Sequence, residues 1–510
     1  MGTNEKLHEI ISSKNQKIEL LEDEIRLLRK ALFAPKSEKR TEEDSPQLPL
    51  FDMPENPQDE EPEEDKVVIQ THSRKKKGRK PLPPHLDRFV IVHDIPEEEK
   101  ICACGCELSQ ISEEVSEKLD IIPAQIRVIR HIRPQYACKG CEGALDDSKS
   151  VKIAPVPAQI IPKGLATAGL LAHVLIAKFC DGLPFYRQEK QFLRMKIEIP
   201  RQTMCNWAML VAERCKPLLE LLYAGVRSGP LINGDETTVQ VLNEPNRKNT
   251  SKSYMWVFRG GAPKNPVVIF QYNQSRQGAV AKDFLGDYKG VVQTDGYAGY
   301  DFLDHKEDVL HVGCWAHARR KFVDSESAGS KKNNRRAAKA LGFIRKLYRL
   351  EKQAKDDEME PDDIYAMRQK YAVPILDEMK EWLIIRHNKA LPSSLLGKAV
   401  NYCLNQWQRL ANYTRDGHAG IDNNVAENAI RPFVIGRKNW LFSGSPAGAR
   451  ASALIYSLIE TAKVNGLEPY HYLRFLFEHL PTTSEDQLNT LLPMSLKPAD
   501  LVLPDLPCGV

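Results

Sequence analysis

Between Gly229 and Phe322 the apolar residues recur at the period of a strand, not of a helix. "GPLINGDETTVQVL", "SYMWVFRGG" and "PVVIFQYNQ" follow one another, then "VVQTDGYAGY" and "DVLHVGCWAHARRKF". Val, Ile, Tyr, Phe and Trp bounded by Gly, Pro and Asn are strand signals. Three sequential strands, a fourth that stops at an acid, and a fifth that runs into a helix predict a mixed α/β sheet. Asp295 stands where the fourth strand stops, just before Gly296. A turn residue with a solvated carboxylate is one reading. A metal ligand at the carboxyl end of a buried strand is the other.

Two more acids bear on that choice. Asp235 sits on the first strand after Gly234 and has Glu236 as a rival, because adjacent strand residues face opposite ways. Glu427 lies 132 residues after Asp295, beyond a block at about 330–415 that is helical in pattern. On a helix, Asn424, Glu427 and Arg431 share one face. Asn424-x-x-Glu427 also reads as a capping-box variant, with the glutamate serving only the helix start. Three carboxylates drawn from two strands and a helix can hold two divalent cations, and hard oxygen donors suit Mg²⁺ or Mn²⁺.

The 510 residues divide into segments of different character. Net charge is only +4, but acids and bases are segregated. Residues 42–65 carry eleven acids and no Lys or Arg, whereas Arg74, Lys75, Lys76, Lys77, Arg79 and Lys80 follow in one basic run. Such a run suits nucleic acid, and the Pro-rich "GRKPLPPHL" suits an extended arm lying in a groove. Before the acidic linker, Ile18, Leu21, Ile25, Leu28 and Leu32 repeat at spacings of 3 and 4. That seam predicts a dimerising coiled coil over 1–35.

Five of eleven cysteines fall between 102 and 141, a metal spacing rather than a disulfide framework. Cys138 and Cys141 form one pair. The other comes from Cys102, Cys104 and Cys106, with Cys102 and Cys104 taken as ligands. "QIRVIRHIRPQYAC" between the pairs alternates as a strand would, so a zinc ribbon with one closed, structural Zn²⁺ is expected over 99–145. Arg127, Arg130 and Arg133 decorate it. Residues 160–225 are helical in pattern and read either as a helix-turn-helix or as two ordinary packed helices. "GLLAHVLIAKF" is too short to span a bilayer, and the polar start has no signal-peptide core. A cytoplasmic protein follows. "GARASALIYSLIETAKVNGLEPYHYLRFLFEHL" predicts two helices broken at Gly466 and Pro469, with a loose tail over 481–510.

The strings "NGDET", "QTDGYAGY", "GCWAHARRKF" and "NNVAENAIRPFVIGRKNWLFSGS" together resemble the large transposase of the insertion-sequence-66 family. The likeness extends through "YSLIETAKVNGLEPYHYL" and upstream to "GLLAHVLIAKFCDGLPFYRQE", so it covers nearly the whole chain in order. It implies a bacterial DDE transposase with a ribonuclease H-like core over 228–480 and a helical insertion at about 325–415. Asp235, Asp295 and Glu427 match its three acids. The first cysteine group departs from the family's usual C-x-x-C. The resemblance also implies binding to the element's terminal repeats and to target DNA, and small accessory proteins as partners. A homodimer or higher oligomer is expected. Arg319, Arg320, Arg431, Arg437 and Lys438 are candidate phosphate contacts, the last two beside Trp440. Cys314 and His317 are read as packing and hydrogen-bonding groups near the second acid. The rival readings are a decayed, non-catalytic DNA-binding protein and a nuclease that cannot join strands.

Overall fold

The computed structural model describes residues 126–137, 151–328 and 331–501, with scattered positions between 11 and 118. The basic run at 74–80 and Cys102, Cys104, Cys106, Cys138 and Cys141 lie outside the described residues. Contacts divide the chain into two units, 55–156 and the remainder.

In the first unit, β1 (Gln135–Ala137) pairs antiparallel with β2 (Val151–Ile153). Strand was expected over most of "QIRVIRHIRPQYAC". Instead, residues 126–134 are irregular and exposed, and strand pairing begins only at Gln135. Arg133 in this stretch donates to the Ala154 carbonyl at 2.9 Å.

The other unit opens with three helices, α1 (Ala168–Phe179), α2 (Phe185–Arg194) and α3 (Arg201–Arg227). Then come β3 (Leu231–Val241), β4 (Lys252–Ala262), β5 (Asn265–Asn273), α4 (Ala279–Leu285), β6 (Gly290–Gln293) and β7 (Val309–Val312). Their sheet runs β5-β4-β3-β6-β7. The hairpin partners are antiparallel, whereas β3, β6 and β7 are parallel neighbours.

One sheet edge is closed from outside. β5 is an edge strand, and its free N–H and C=O groups invite pairing. Helix α12, at Pro446–Val464, meets them with hydroxyls. Ser457 Oγ accepts from the Phe270 amide at 2.8 Å, and Thr461 Oγ1 accepts from the Val268 amide and donates to its carbonyl, both at 3.0 Å. Asn465 then donates to the Pro266 carbonyl at 2.8 Å. The three sit four residues apart, on one helical face.

Helix α3 shares this core and is not part of a separate DNA-binding unit. Its Val211, Cys215, Leu218, Leu222 and Val226 are buried in the same hydrophobic cluster as β4 and β5. The expected loose tail is also corrected. Leu488, Leu491, Leu492 and Leu501 are buried in that cluster, so the chain stays packed through 501.

The helical block comprises α5 (Trp315–Ala328), α6 (Lys331–Asp356), α7 (Pro361–Met367), α8 (Val373–His387), α9 (Leu395–Asn405) and α10 (Trp407–Ala411), and a second hydrophobic cluster joins all of them but α7. A single π turn at 368–372 puts the buried Arg368 side chain among Glu351 and three carbonyls. The chain then returns to the sheet through α11 (Asn424–Trp440) and β8 (Phe442–Ser443), which pairs with the far end of β3. α13 (Pro469–His479) packs on α1.

Candidate active site

The parallel register of β3 and β6 aligns Asn233 with Gln293. Two residues further on come Asp235, still on β3, and Asp295, just past the end of β6, and Asp295 is one of the negative neighbours of Asp235. Each of these two carboxylates accepts from a backbone amide just after it. Asp235 Oδ1 accepts from the Glu236 amide at 2.8 Å, and Asp295 Oδ1 accepts from the Tyr297 amide at 2.9 Å. Glu427 arrives in the first turn of α11.

Asp235 feels the other two acids. Burial first, then Glu236, Asp295 and Glu427 as negative neighbours, push the Asp235 carboxyl up to about 8. The three carboxylates are half-buried, and Glu427 has a cation beside it, Arg320; carboxylate oxygens are hard donors, and a divalent cation would supply the counter-charge that Asp235 lacks. The donor set therefore fits Mg²⁺ or Mn²⁺.

Glu236 points the other way and is already satisfied. Arg276 meets it at 2.6 and 2.8 Å, and the Tyr300 hydroxyl donates at 3.0 Å. Arg276 also stacks 3.7 Å over Tyr297. The capping-box reading of Glu427 does not fit the helix start. Asn423 is the N-cap and makes no side-chain capping bond, while Asp422 Oδ1 accepts from the Asn424 amide at 3.1 Å. Asp422 Oδ2 accepts from Tyr348 at 2.8 Å, which ties this turn to the helical block.

Gly296 makes room for a neighbouring helix. A Cβ there would lie 2.8 Å from the Tyr402 hydroxyl, so its missing side chain admits α9. Cys314 and His317 stand beside the third acid. His317 Nδ1 is 3.7 Å from Glu427 Oε1, and the three side chains could share a metal ion. The Cys314 thiol is pushed up to about 12 by burial and accepts from the Asn423 amide at 3.2 Å.

The cations differ in placement. Arg320 is exposed, with Nη2 3.9 Å from Glu427 Oε2. Arg319 is half-buried near Tyr348, and burial lowers its affinity for a proton. Arg431 and Lys438 are exposed on α11. Arg437 donates to the hydroxyls of Thr237 and Thr238 at 3.1 and 3.3 Å. With Lys438, Lys252, Thr250 and Ser251 it lines a cavity of about 520 Å³. Trp440 packs edge-on against Phe433, with ring centres 5.4 Å apart.

A support behind Asp295 left only a faint trace in the sequence. His311 on β7 bonds Thr294 Oγ1 at 2.9 Å and Asp304 at 2.7 Å, and Arg409 grips Asp304 in turn. The one hint was polar Thr294 closing an apolar strand.

Residues 163–451, more than half of the chain, match the family described as "Transposase IS66 family". The chain belongs to that family. Residues 99–142 match the zinc-finger binding domain of transposase IS66, 20–91 match "Transposase C of IS166 homeodomain", and 457–494 match the IS66 C-terminal element. Among relatives, uncharacterized protein y4jD of Sinorhizobium fredii is 35% identical over 82% of this chain and 81% of that protein. Uncharacterized protein y4qI of the same organism is 32% identical over 83% and 78%. Membership of the IS66 family makes this a transposase, a nuclease-type enzyme with a zinc-finger DNA-binding region, and DNA its partner. The zinc finger supports zinc, and the DDE family implies a divalent metal. Among the described residues no helix is long and apolar enough to cross a membrane.

Proposed function

We propose that this IS66-family protein binds the terminal inverted repeats of an insertion element, cuts the DNA there and joins the freed end to target DNA. The observation that carries this is the meeting of Asp235 and Asp295 on neighbouring parallel strands with Glu427 at a helix start. Mixed strand directions in the order β5-β4-β3-β6-β7 support a ribonuclease H-like core. Asp235, Asp295 and Glu427 would hold two divalent ions, which acidify an attacking water or hydroxyl and stabilise the leaving oxygen.

The protein's own groups do the rest. Asp235 releases its proton as the site fills, since its carboxyl is neutral below about pH 8. Glu236 stays locked to Arg276 and takes no part. Arg320, Arg431, Arg437 and Lys438 offer charge to the phosphates on either side, and the 74–80 run and the zinc finger, through Cys102, Cys104, Cys138 and Cys141, hold the repeat. Water first breaks a phosphodiester to leave a 3′-hydroxyl. That hydroxyl then attacks a target phosphorus, and the displaced 3′-oxygen takes a proton. Five described cysteines are free thiols, which supports a reducing bacterial cytoplasm. Accessory proteins of the same element and self-association complete the reading.

The test is a cleavage and strand-transfer assay on an oligonucleotide carrying a terminal-repeat end. The wild type should cut and join with Mg²⁺ or Mn²⁺. Asp235→Ala, Asp295→Ala and Glu427→Ala should each lose about 100-fold or more, with repeat binding within a few-fold. Binding without any cutting would make this a DNA-binding protein, and cutting without joining a nuclease.

A further inference from the structure

Each of the three acids follows a buried amide. Asn233 precedes Asp235 by two residues, Gln293 precedes Asp295 by two, and Asn423 precedes Glu427 by four. The three amides are 4%, 0% and 1% exposed. They bond to one another: Asn233 Nδ2 donates to Gln293 Oε1 at 3.1 Å and to Asn423 Oδ1 at 3.0 Å. Asn423 Nδ2 donates to the Gly234 carbonyl at 2.8 Å, next to Asp235. Gln293 Nε2 donates to the carbonyls of Gly313 and Gly420 at 3.2 and 2.7 Å.

Buried amides are costly unless bonded, and here donors and acceptors are matched across three chain segments. Those segments are the ones that carry the acids. The partners at 313 and 420 belong to the strand end leading into α5 and the loop leading to α11. Two residues along a strand is the same face, so on β3 Asn233 lies in the row beneath Asp235, while Gln293 ends β6 two residues before Asp295.

The chemistry of the clamp matters. Three carboxylates brought together repel, and the helix bearing Glu427 is joined to β6 only through the long helical block. An Arg or Lys between the strands would hold them but would also neutralise the acids and compete with a cation. Amides hold backbone to backbone without charge. They also fix register, since a slip of one residue would break every bond in the set.

We propose that Asn233, Gln293 and Asn423 form a charge-neutral clamp that sets the spacing of Asp235, Asp295 and Glu427, with Asn423 the positioning residue for Glu427. This rests on the reading that those acids hold divalent ions. The clamp keeps the three segments together while the carboxylates ionise.

The experiment uses full-length, zinc-loaded protein and Mn²⁺ as the probe, with binding followed by electron paramagnetic resonance. Asn423→Ala and Asn233→Ala should bind Mn²⁺ about 10-fold more weakly, with the melting temperature and repeat binding recorded alongside. Asn423→Asp preserves shape and the acceptor for Asn233 but loses the donor to Gly234, and it should show the same weakening if Asn423→Ala does not fold. Cleavage by the variants should recover in part as Mg²⁺ is raised, which a loss of folded protein would not do. Mn²⁺ affinity within two-fold of wild type in a folded variant overturns the clamp. Asp295→Ala is the reference: if it binds Mn²⁺ like the wild type, the carboxylate reading itself has failed, and the clamp with it.

Discussion

Asp235 and Glu236 are adjacent acids with opposite fates, and the difference is in their partners. Asp235 faces other carboxylates, and burial raises its carboxyl from 3.8 to about 8. The folded state therefore keeps a proton that the unfolded chain gives up, so stability falls as pH rises from about 4 to 8. Metal-free protein should melt at a lower temperature at pH 8 than at pH 5, and Asp235→Asn should flatten that dependence. A full dependence in Asp235→Asn would assign it to Glu236 or Asp422, which burial also raises. Glu236 is held by Arg276 instead, with only 1% of its side chain exposed. Arg276→Ala strands a buried charge and should cost about 3 kcal/mol in denaturant unfolding. Strand pattern alone offered both acids at 235 and 236, and it was the family resemblance that matched Asp235. Arg276 and Tyr300 lie 40 and 64 residues away, and only the fold brings them in. For the same reason Asn233, Gln293 and Asn423 read as ordinary polar residues.

At the scale of elements, strand periodicity placed β3 to β7, because half-buried and fully buried strands write their period into the chain. What covers a helix is not written there. The face Val211, Cys215, Leu218, Leu222 and Val226 is visible in α3, but the sheet against it is not. The 481–501 stretch misled for a related reason: leucines spread among prolines and polar residues have no period, yet they reach the core. The irregular 126–134 stretch shows the reverse, an alternating pattern without a ladder. The helical block depends on Arg368, which meets Glu351 at 2.6 and 2.9 Å and the carbonyls of Tyr413, Asp416 and Ala419. Arg368→Ala leaves a carboxylate and three carbonyls without their donor. It should cost about 3–5 kcal/mol in stability, measured by urea unfolding, and Glu427-dependent cleavage should fall with it.

At the scale of the whole molecule, the zinc finger and the N-terminal seam carry their own predictions. Cys138→Ser should lose one zinc per chain by metal analysis and lose terminal-repeat binding; protein purified without chelator that carries no zinc would sink this reading. Ile11, Ile18, Leu21 and Ile25 are helical and each about half exposed. Removal of residues 1–35 should lower the oligomer number seen by light scattering and weaken pairing of two DNA ends, with binding of one end retained. An unchanged oligomer number would assign assembly to another surface.

The order of the three acids along the chain has a consequence for how the protein is made. Asp235 and Asp295 leave the ribosome well before Glu427, and α12, which seals the β5 edge, follows later still. α1 must wait longer, since its partner α13 begins only at Pro469. A half-synthesised chain therefore carries two acids, an open strand edge and no third ligand. Fragments released before Asn424 keep the 74–80 run and the zinc-finger region, so they would still bind DNA on the proposed reading, yet they lack Glu427 and are prone to pair through that edge. If the three acids cut DNA as proposed, nuclease competence would arrive only as synthesis nears its end, when the cell already holds an almost complete chain.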